Sequence, residues 1–379
     1  MSPASSTQLP WIDHLRTAAI VLVVNMHACV TYSHVGDWYM MADPEPSMGA
    51  KVPFIVWQGM LQSFFMGLLF FVSAYFAAGS LARRGPGGFA RERLVRLGLP
   101  ALFYMLVIHP FILLALNPWK HDFGPPGKFY GNYILSGRFA GSSGPLWFAV
   151  ALLLFCLVLA AWNSVLGLSR STSQAKPPSG KLLAAFALAL GFGSFAVRLI
   201  QPIGTNILNL QLCFFVQYIA WFIAGLHAAR HGWLVPLALS RTARGAGWLA
   251  LVGGPLALLG LLFFGAQKAG PEIFFGGTHW QAFALAMWEQ LTGLGLALGA
   301  LALFARRFDR DSRLLRWMAE RSFAVYVLHA PVLVGLAMLF RALPYHLYGL
   351  VVLLTATGLI VTYALADVAR RIPGLRAIL

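Results

Sequence analysis

The chain has 379 residues, of which 59% are hydrophobic and only 11% charged, with a mean hydropathy of +0.72. A water-facing surface needs charge on about a quarter of residues, so a set of soluble domains is excluded and an integral membrane protein is indicated. The formal net charge of +16 would suggest nucleic-acid binding in a soluble chain, but in a membrane protein basic residues first report topology.

A bilayer core of about 30 Å takes roughly 20 apolar residues in helical form. In chain order, that ruler predicts ten spans, at about 15–33, 53–80, 97–117, 144–167, 182–200, 208–230, 246–266, 280–305, 322–342 and 347–366. The fifth, interrupted by Gly191 and Gly193, is the least regular. The short alternating segments of a membrane β-barrel are absent. The expected fold is therefore an all-α polytopic helix bundle, a single domain over 1–379. The longest breaks, 34–52, 118–143 and 169–181, cannot hold a soluble catalytic domain, and no inverted repeat of the transporter kind is visible. Cys29, Cys156 and Cys213 fall in apolar runs and read as small buried hydrophobes, not as a disulfide framework. The first twelve residues lack Lys and Arg, and no small-residue cleavage site precedes the first span, so no cleaved signal peptide is expected.

With ten spans and a cytoplasmic N-terminus, 21 of the 28 Lys and Arg residues fall on the inner side and seven on the outer. That asymmetry predicts both termini in the cytoplasm and removes the nucleic-acid reading of the charge.

Ionisable groups inside spans mark function by default. The first span carries Asp13, Arg16 and His27. Eleven residues separate Arg16 from His27, a net rotation of about 20° and a rise of roughly 16 Å. Both therefore share one face, Arg16 near the inner surface and His27 near mid-membrane, with Asp13 spaced to pair with Arg16. Tyr326 and His329 share a face of the ninth span, and His329 stands about 12 Å above Arg321, close to the depth of His27. Glu289 in the eighth span is the sole carboxylate near mid-membrane and could pair with Arg198 or a histidine. His109 beside Pro110 is similar, and Trp147 opens the fourth span. On the inner side, Arg93 and Arg96 have the spacing to grip a phosphate together. No phosphate loop, zinc motif, Cys/His metal spacing or nucleophile elbow occurs.

The run from Trp11 to His27, with its Arg-x10-His spacing, resembles the first helix of the membrane acyltransferase-3 family. Ser63-Phe-Phe-Met66, Phe70-Phe-Val-Ser-Ala-Tyr75, Arg93-x-x-Arg96 before Leu-Gly-Leu-Pro, Leu146-Trp-Phe148 and the stretch from Ser322 to Pro331 are similar to further family segments. The closing Arg371-Ile-Pro-Gly-Leu375 looks like the branch of glucan-modifying C proteins, whereas Gly67 and Ala74 depart from the usual pattern. No fused SGNH-type domain is expected after the bundle.

The resemblance implies a bacterial inner-membrane O-acyltransferase. Acyl-CoA (acetyl-CoA or succinyl-CoA) would be a co-substrate from the cytoplasm, and the acceptor a hydroxyl of an envelope carbohydrate or glycoconjugate, with no metal and no nucleic-acid partner. The expected roles are His27 as general base, Arg16 with Asp13 holding or orienting the donor, and Arg93 and Arg96 on CoA phosphates. Tyr326 and His329 would position the acceptor or stabilise the oxyanion, and Trp147 and Glu289 are substrate-side candidates. A direct attack and an acyl-His27 intermediate both stay open. The competing reading is a proton-coupled transporter of a sugar or acidic metabolite, relaying protons through Glu289, His27 and His329. A passive scaffold would leave the Asp13, Arg16 and His27 column without a purpose.

Overall fold

The computed structural model describes residues 9–120, 125–166, 175–265 and 270–378. The predicted outer cations Lys120 and Lys268, the inner Arg170 and the loop residue His121 lie outside the described side chains. Among the described residues every regular element is helical, apart from one isolated bridge between Ile207 and Leu210. In chain order these are α1 (Pro10–Ser33), α2 (Met48–Arg93), α3 (Leu99–Phe103), α4 (His109–Lys120), α5 (Pro126–Leu135), α6 (Trp147–Leu166) and α7 (Gly180–Arg198). There follow α8 (Phe215–His231), α9 (Leu234–Ala238), α10 (Arg241–Gly265), α11 (Trp280–Arg307), α12 (Arg313–Phe340), α13 (Leu347–Ala369) and α14 (Leu375–Ile378).

Among the described residues, nine helical stretches are long and apolar enough to cross a membrane, against ten predicted spans. The difference lies in the second and third spans, which form one continuous stretch, Met48–Asn117. A straight helix of 70 residues would run roughly 105 Å, more than three bilayer cores. It folds back instead. Gly85 takes φ 70° and ψ 170°, a conformation closed to residues with a Cβ, and Pro86 follows it. As a result Ser80 donates to Glu92 at 3.1 Å and Arg84 pairs with Glu92 at 3.0 Å. In an unbroken helix those levels would stand about 18 Å apart. The returning arm reaches the outer loops, where Tyr104 meets Tyr39. One hairpin thus supplies two crossings, and ten crossings return the chain to its starting side.

That arm is irregular for a chemical reason. π-Helical turns occupy Leu94–Gly98 and Tyr104–Ile108, and Pro110 cannot donate to the carbonyl of Leu106. The outer helix α5 repairs the ladder: Tyr130 donates to Leu106 O at 2.9 Å, and Tyr133 to Met105 O at 2.5 Å. Elsewhere, side chains of Ser47, Ser179, Ser312 and His346 cap the starts of α2, α7, α12 and α13.

With lipid outside, close backbone approach and polar ties hold such a bundle together. Gly225 of α8 rests on the Phe71 carbonyl of α2, Gly293 of α11 on that of Ser63, and Gly247 of α10 against Gly299 of α11. Helix α1 is fixed by Asn25, which donates to Thr355 at 3.2 Å and accepts from the Trp57 indole at 2.8 Å. Gln58 of α2 donates to Ser33 at 3.1 Å. At the inner ends of α12 and α13, Arg321 and Arg371 each pair with Asp367 at 2.6 Å. Helices α7 and α11 are joined by a buried ion pair, Arg198 with Glu289.

Removing one member of that pair leaves a buried charge uncompensated, at a cost of about 3–5 kcal/mol. Glu289→Ala is expected to lower the thermal unfolding midpoint in detergent, and the double variant Arg198→Met/Glu289→Leu to recover most of the loss. An unchanged midpoint in Glu289→Ala would remove the pair from the account of stability.

Candidate active site

His27, on α1, and His329, on α12, meet inside the bundle, with His329 Nε2 and His27 Nδ1 3.1 Å apart. His329 Nδ1 lies 2.7 Å from the Tyr326 carbonyl oxygen. A carbonyl only accepts, so Nδ1 of His329 carries the proton and its Nε2 presents a lone pair in the neutral ring. His27 must then donate from Nδ1. Its remaining nitrogen, Nε2, then carries the basic lone pair. Backbone carbonyls bear on both rings, that of Tyr326 on His329 and that of Val23, in α1 itself, on His27. His329 is fully buried and His27 half-buried.

The outer side of the pair is covered. Trp38 lies flat on His27, with ring centroids 3.9 Å apart and 18° between the planes, and its indole N–H is buried without a protein partner. The loop carrying it is strapped back: Ala42 N donates to Thr31 O at 2.7 Å, and His34 Nε2 donates to Ala42 O at 2.9 Å. Tyr39, the next residue, contacts Tyr104 at 2.9 Å and His109 Nδ1 at 2.7 Å. Burial pushes the Tyr39 phenol above its ordinary value, which keeps it protonated and able to donate.

On the inner side a cavity approaches the pair, although neither histidine is part of its lining. This cavity, of about 1600 Å³, rises from the arginine-rich face of the bundle between α1, α2, α6, α8 and α12. Its mouth carries Arg16, Arg83, Arg84, Arg93, Arg96 and Arg230. Inside it turns apolar, with Leu69, Leu152, Phe155, Leu159 and Phe222, and it reaches Ile20, Phe148 and Tyr326. Tyr326 lies 13 residues into α12, roughly 20 Å from the start of that helix. Its ring stands 6.1 Å from that of His329. Glu92 holds Arg84 at 3.0 Å and Arg96 at 3.6 Å, so one carboxylate organises cations from both arms of the α2 hairpin. Arg93 lies over the Phe89 ring at 5.0 Å, its Nε buried without a protein partner.

The residues singled out from the sequence fall into three groups. Arg16, Arg93, Arg96 and Tyr326 line the cavity, while His27 and His329 form the pair beyond its end. Asp13 touches Arg16 at 3.4 Å, but both side chains are about half exposed, so that bond contributes little. Trp147 and Glu289 lie elsewhere. Trp147 stacks on Tyr218 at 5.5 Å, and Glu289 is engaged by Arg198. The Tyr326 hydroxyl donates to the Pro145 carbonyl. In this arrangement its one proton ties α12 to the turn before α6. Trp38, Arg83, Arg84, His227 and Arg230 escaped the sequence reading. The arginines were legible as inner-side charge, whereas nothing in the loop sequence announced that Trp38 would reach His27.

Among the described residues no group of His, Cys, Asp or Glu could hold a metal ion. What the arrangement offers is a neutral base with a set tautomer, an apolar channel below it and cations at the channel mouth. In a background where the buried Cys29, Cys156 and Cys213 are replaced, a membrane-impermeant maleimide should label Asn163→Cys and Arg230→Cys from one face of the membrane. It should label Asp37→Cys from the opposite face only. Labelling of all three from one face would contradict this topology.

No curated protein and no solved structure matches the chain. The family model described as an acyltransferase domain, that of acyltransferase family 3, matches residues 9–369, a range that contains both histidines, the arginine mouth and every crossing. The chain belongs to the acyltransferase-3 family and is a multi-pass membrane acyltransferase.

Proposed function

We propose that the protein is a bacterial inner-membrane O-acyltransferase that moves an acyl group from cytoplasmic acyl-CoA to a hydroxyl of an envelope carbohydrate. The observation that carries this reading is the joint placement of an arginine-rimmed cavity and a histidine pair beyond its apolar end. CoA phosphates match the cations Arg16, Arg93 and Arg96, and the cavity gives the pantetheine arm an apolar path toward Tyr326. The acceptor approaches from the outer side, which requires Trp38 and its loop to move away.

In the proposed reaction the acceptor O–H gives its proton to His27 Nε2 as the oxygen attacks the thioester carbonyl carbon. The C–S bond then breaks, and the proton on His27 passes to the departing thiolate. Products are the ester and free CoA, so atoms and charge balance. While protonated, His27 is stabilised through its Nδ1–H bond to His329, which becomes charge-assisted.

Two features favour this over a proton-coupled transporter. Glu289, which a relay would need, is held by Arg198. The cations also gather at a cavity mouth instead of lining a path across the membrane.

With reconstituted protein, acyl-CoA and a glycan acceptor, His27→Ala is expected to lose about 10²–10⁴-fold in rate. His329→Gln, whose side-chain oxygen can still accept from His27 Nδ1, should retain more activity than His329→Leu. Arg93→Ala and Arg96→Ala should raise KM for acyl-CoA with a smaller effect on kcat. A folded His27→Ala protein that esterifies at the unmodified rate would overturn the assignment.

A further inference from the structure

The cavity has a second opening that the transfer of a small acyl group does not use. On α6, Leu154, Val158, Ala161, Trp162 and Val165 are exposed and recur along one face of the helix, the stripe a membrane helix turns toward lipid. Val158 and Trp162, 65% and 57% exposed, belong to that stripe and also line the cavity. On α8, Ile219, Ile223, His227 and Arg230 form the matching exposed stripe, and all four line the cavity. The two helices touch through Phe155, whose ring lies 6.0 Å from Phe215 and 5.4 Å from Phe222. Below that bridge, the walls facing the cavity and the walls facing lipid are the same residues. The cavity is therefore slotted open to the bilayer between the inner halves of α6 and α8.

The chemistry of the slot is graded. At the inner surface it carries Arg230 and His227, next to Arg83 and Arg84 of the mouth, and toward mid-membrane it is wholly apolar, with Ile219, Ile223 and Val158. That gradient fits a molecule with an anionic head and a hydrocarbon tail. A closed acyl pocket would limit chain length by sterics, whereas an apolar wall open to lipid imposes no such limit. Each methylene moved from water into such surroundings also adds affinity.

We propose that the slot is an acyl-chain site, through which the donor thioester places a medium or long alkyl chain at the boundary of cavity and bilayer. This inference rests on the acyl-CoA reading above and extends it to the class of acyl group. The head stays on the arginines, the thioester lies near Tyr326, and the tail leaves sideways under Phe155.

The test measures binding of acetyl-CoA, butyryl-CoA and octanoyl-CoA to the full chain in nanodiscs, by displacement of labelled CoA. Octanoyl-CoA is expected to bind at least about tenfold more tightly than acetyl-CoA. In Val158→Trp, and separately in Ile223→Trp, that ratio should fall toward one. The ratio is read within each variant, so a general loss of folded protein cancels and lipid partitioning is matched. An octanoyl ratio near one in the unmodified protein would overturn the slot while leaving acyl-CoA as donor. A ratio unchanged in both variants would assign the gain to the lipid and overturn the slot as well. Failure of acetyl-CoA and CoA alike to bind would instead remove the donor reading, and the slot with it.

Discussion

The hydrogen bond between His329 and His27 is the interaction on which the proposed chemistry depends. It is an ordered chain of three groups: the Tyr326 carbonyl, the buried His329 ring and the His27 ring, linked at 2.7 and 3.1 Å. Because the first is a backbone carbonyl of a membrane helix, its acceptor role does not change, and the proton positions beyond it follow. A lone histidine in a span could take either tautomer. Here the base is pre-set, with Nδ1 occupied and the lone pair on Nε2, before any substrate arrives. That is preorganisation with no charged side chain among the three groups.

The rest of the bundle can be understood as holding this pair in place. Helix α1 is pinned by Asn25 and Ser33 to its neighbours, and α12 by Arg321 to α13 at the inner end. Tyr326 performs two structural tasks on the two sides of one residue: its carbonyl orients His329, and its hydroxyl fixes Pro145 ahead of α6. The hairpin at Gly85 brings Arg83 and Arg84 beside Arg93 and Arg96, so the break in the helix is also what assembles the cationic mouth. Glu92 keeps those cations from repelling one another apart, while leaving net positive charge at the opening.

Helical periodicity made much of this legible in advance. Arg16 and His27 could be put on one face because both lie on a single unbroken helix, and the depth match of His27 with His329 came from rise per residue. Their contact confirms that helix arithmetic suffices when each partner belongs to a regular element. Trp38 was illegible because its position is set by a loop hydrogen bond from Ala42 to Thr31, a tertiary detail. The pairing of Glu289 with Arg198 was legible only as one option, since the partners lie 91 residues apart on different helices. The continuity of the second and third spans was hidden for another reason. Hydropathy reports which residues sit in lipid, whereas a reversal at Gly85 is a matter of two dihedral angles.

The central claim is that donor and acceptor reach one histidine pair from opposite faces of the membrane. Its most direct measurement uses proteoliposomes in which the protein has one orientation, with labelled acyl-CoA sealed on one side and glycan supplied on the other. Esterified glycan should form only when acyl-CoA is on the side of the arginine-rimmed cavity and the glycan is on the side of Trp38. Equal product from the reversed arrangement would contradict the account.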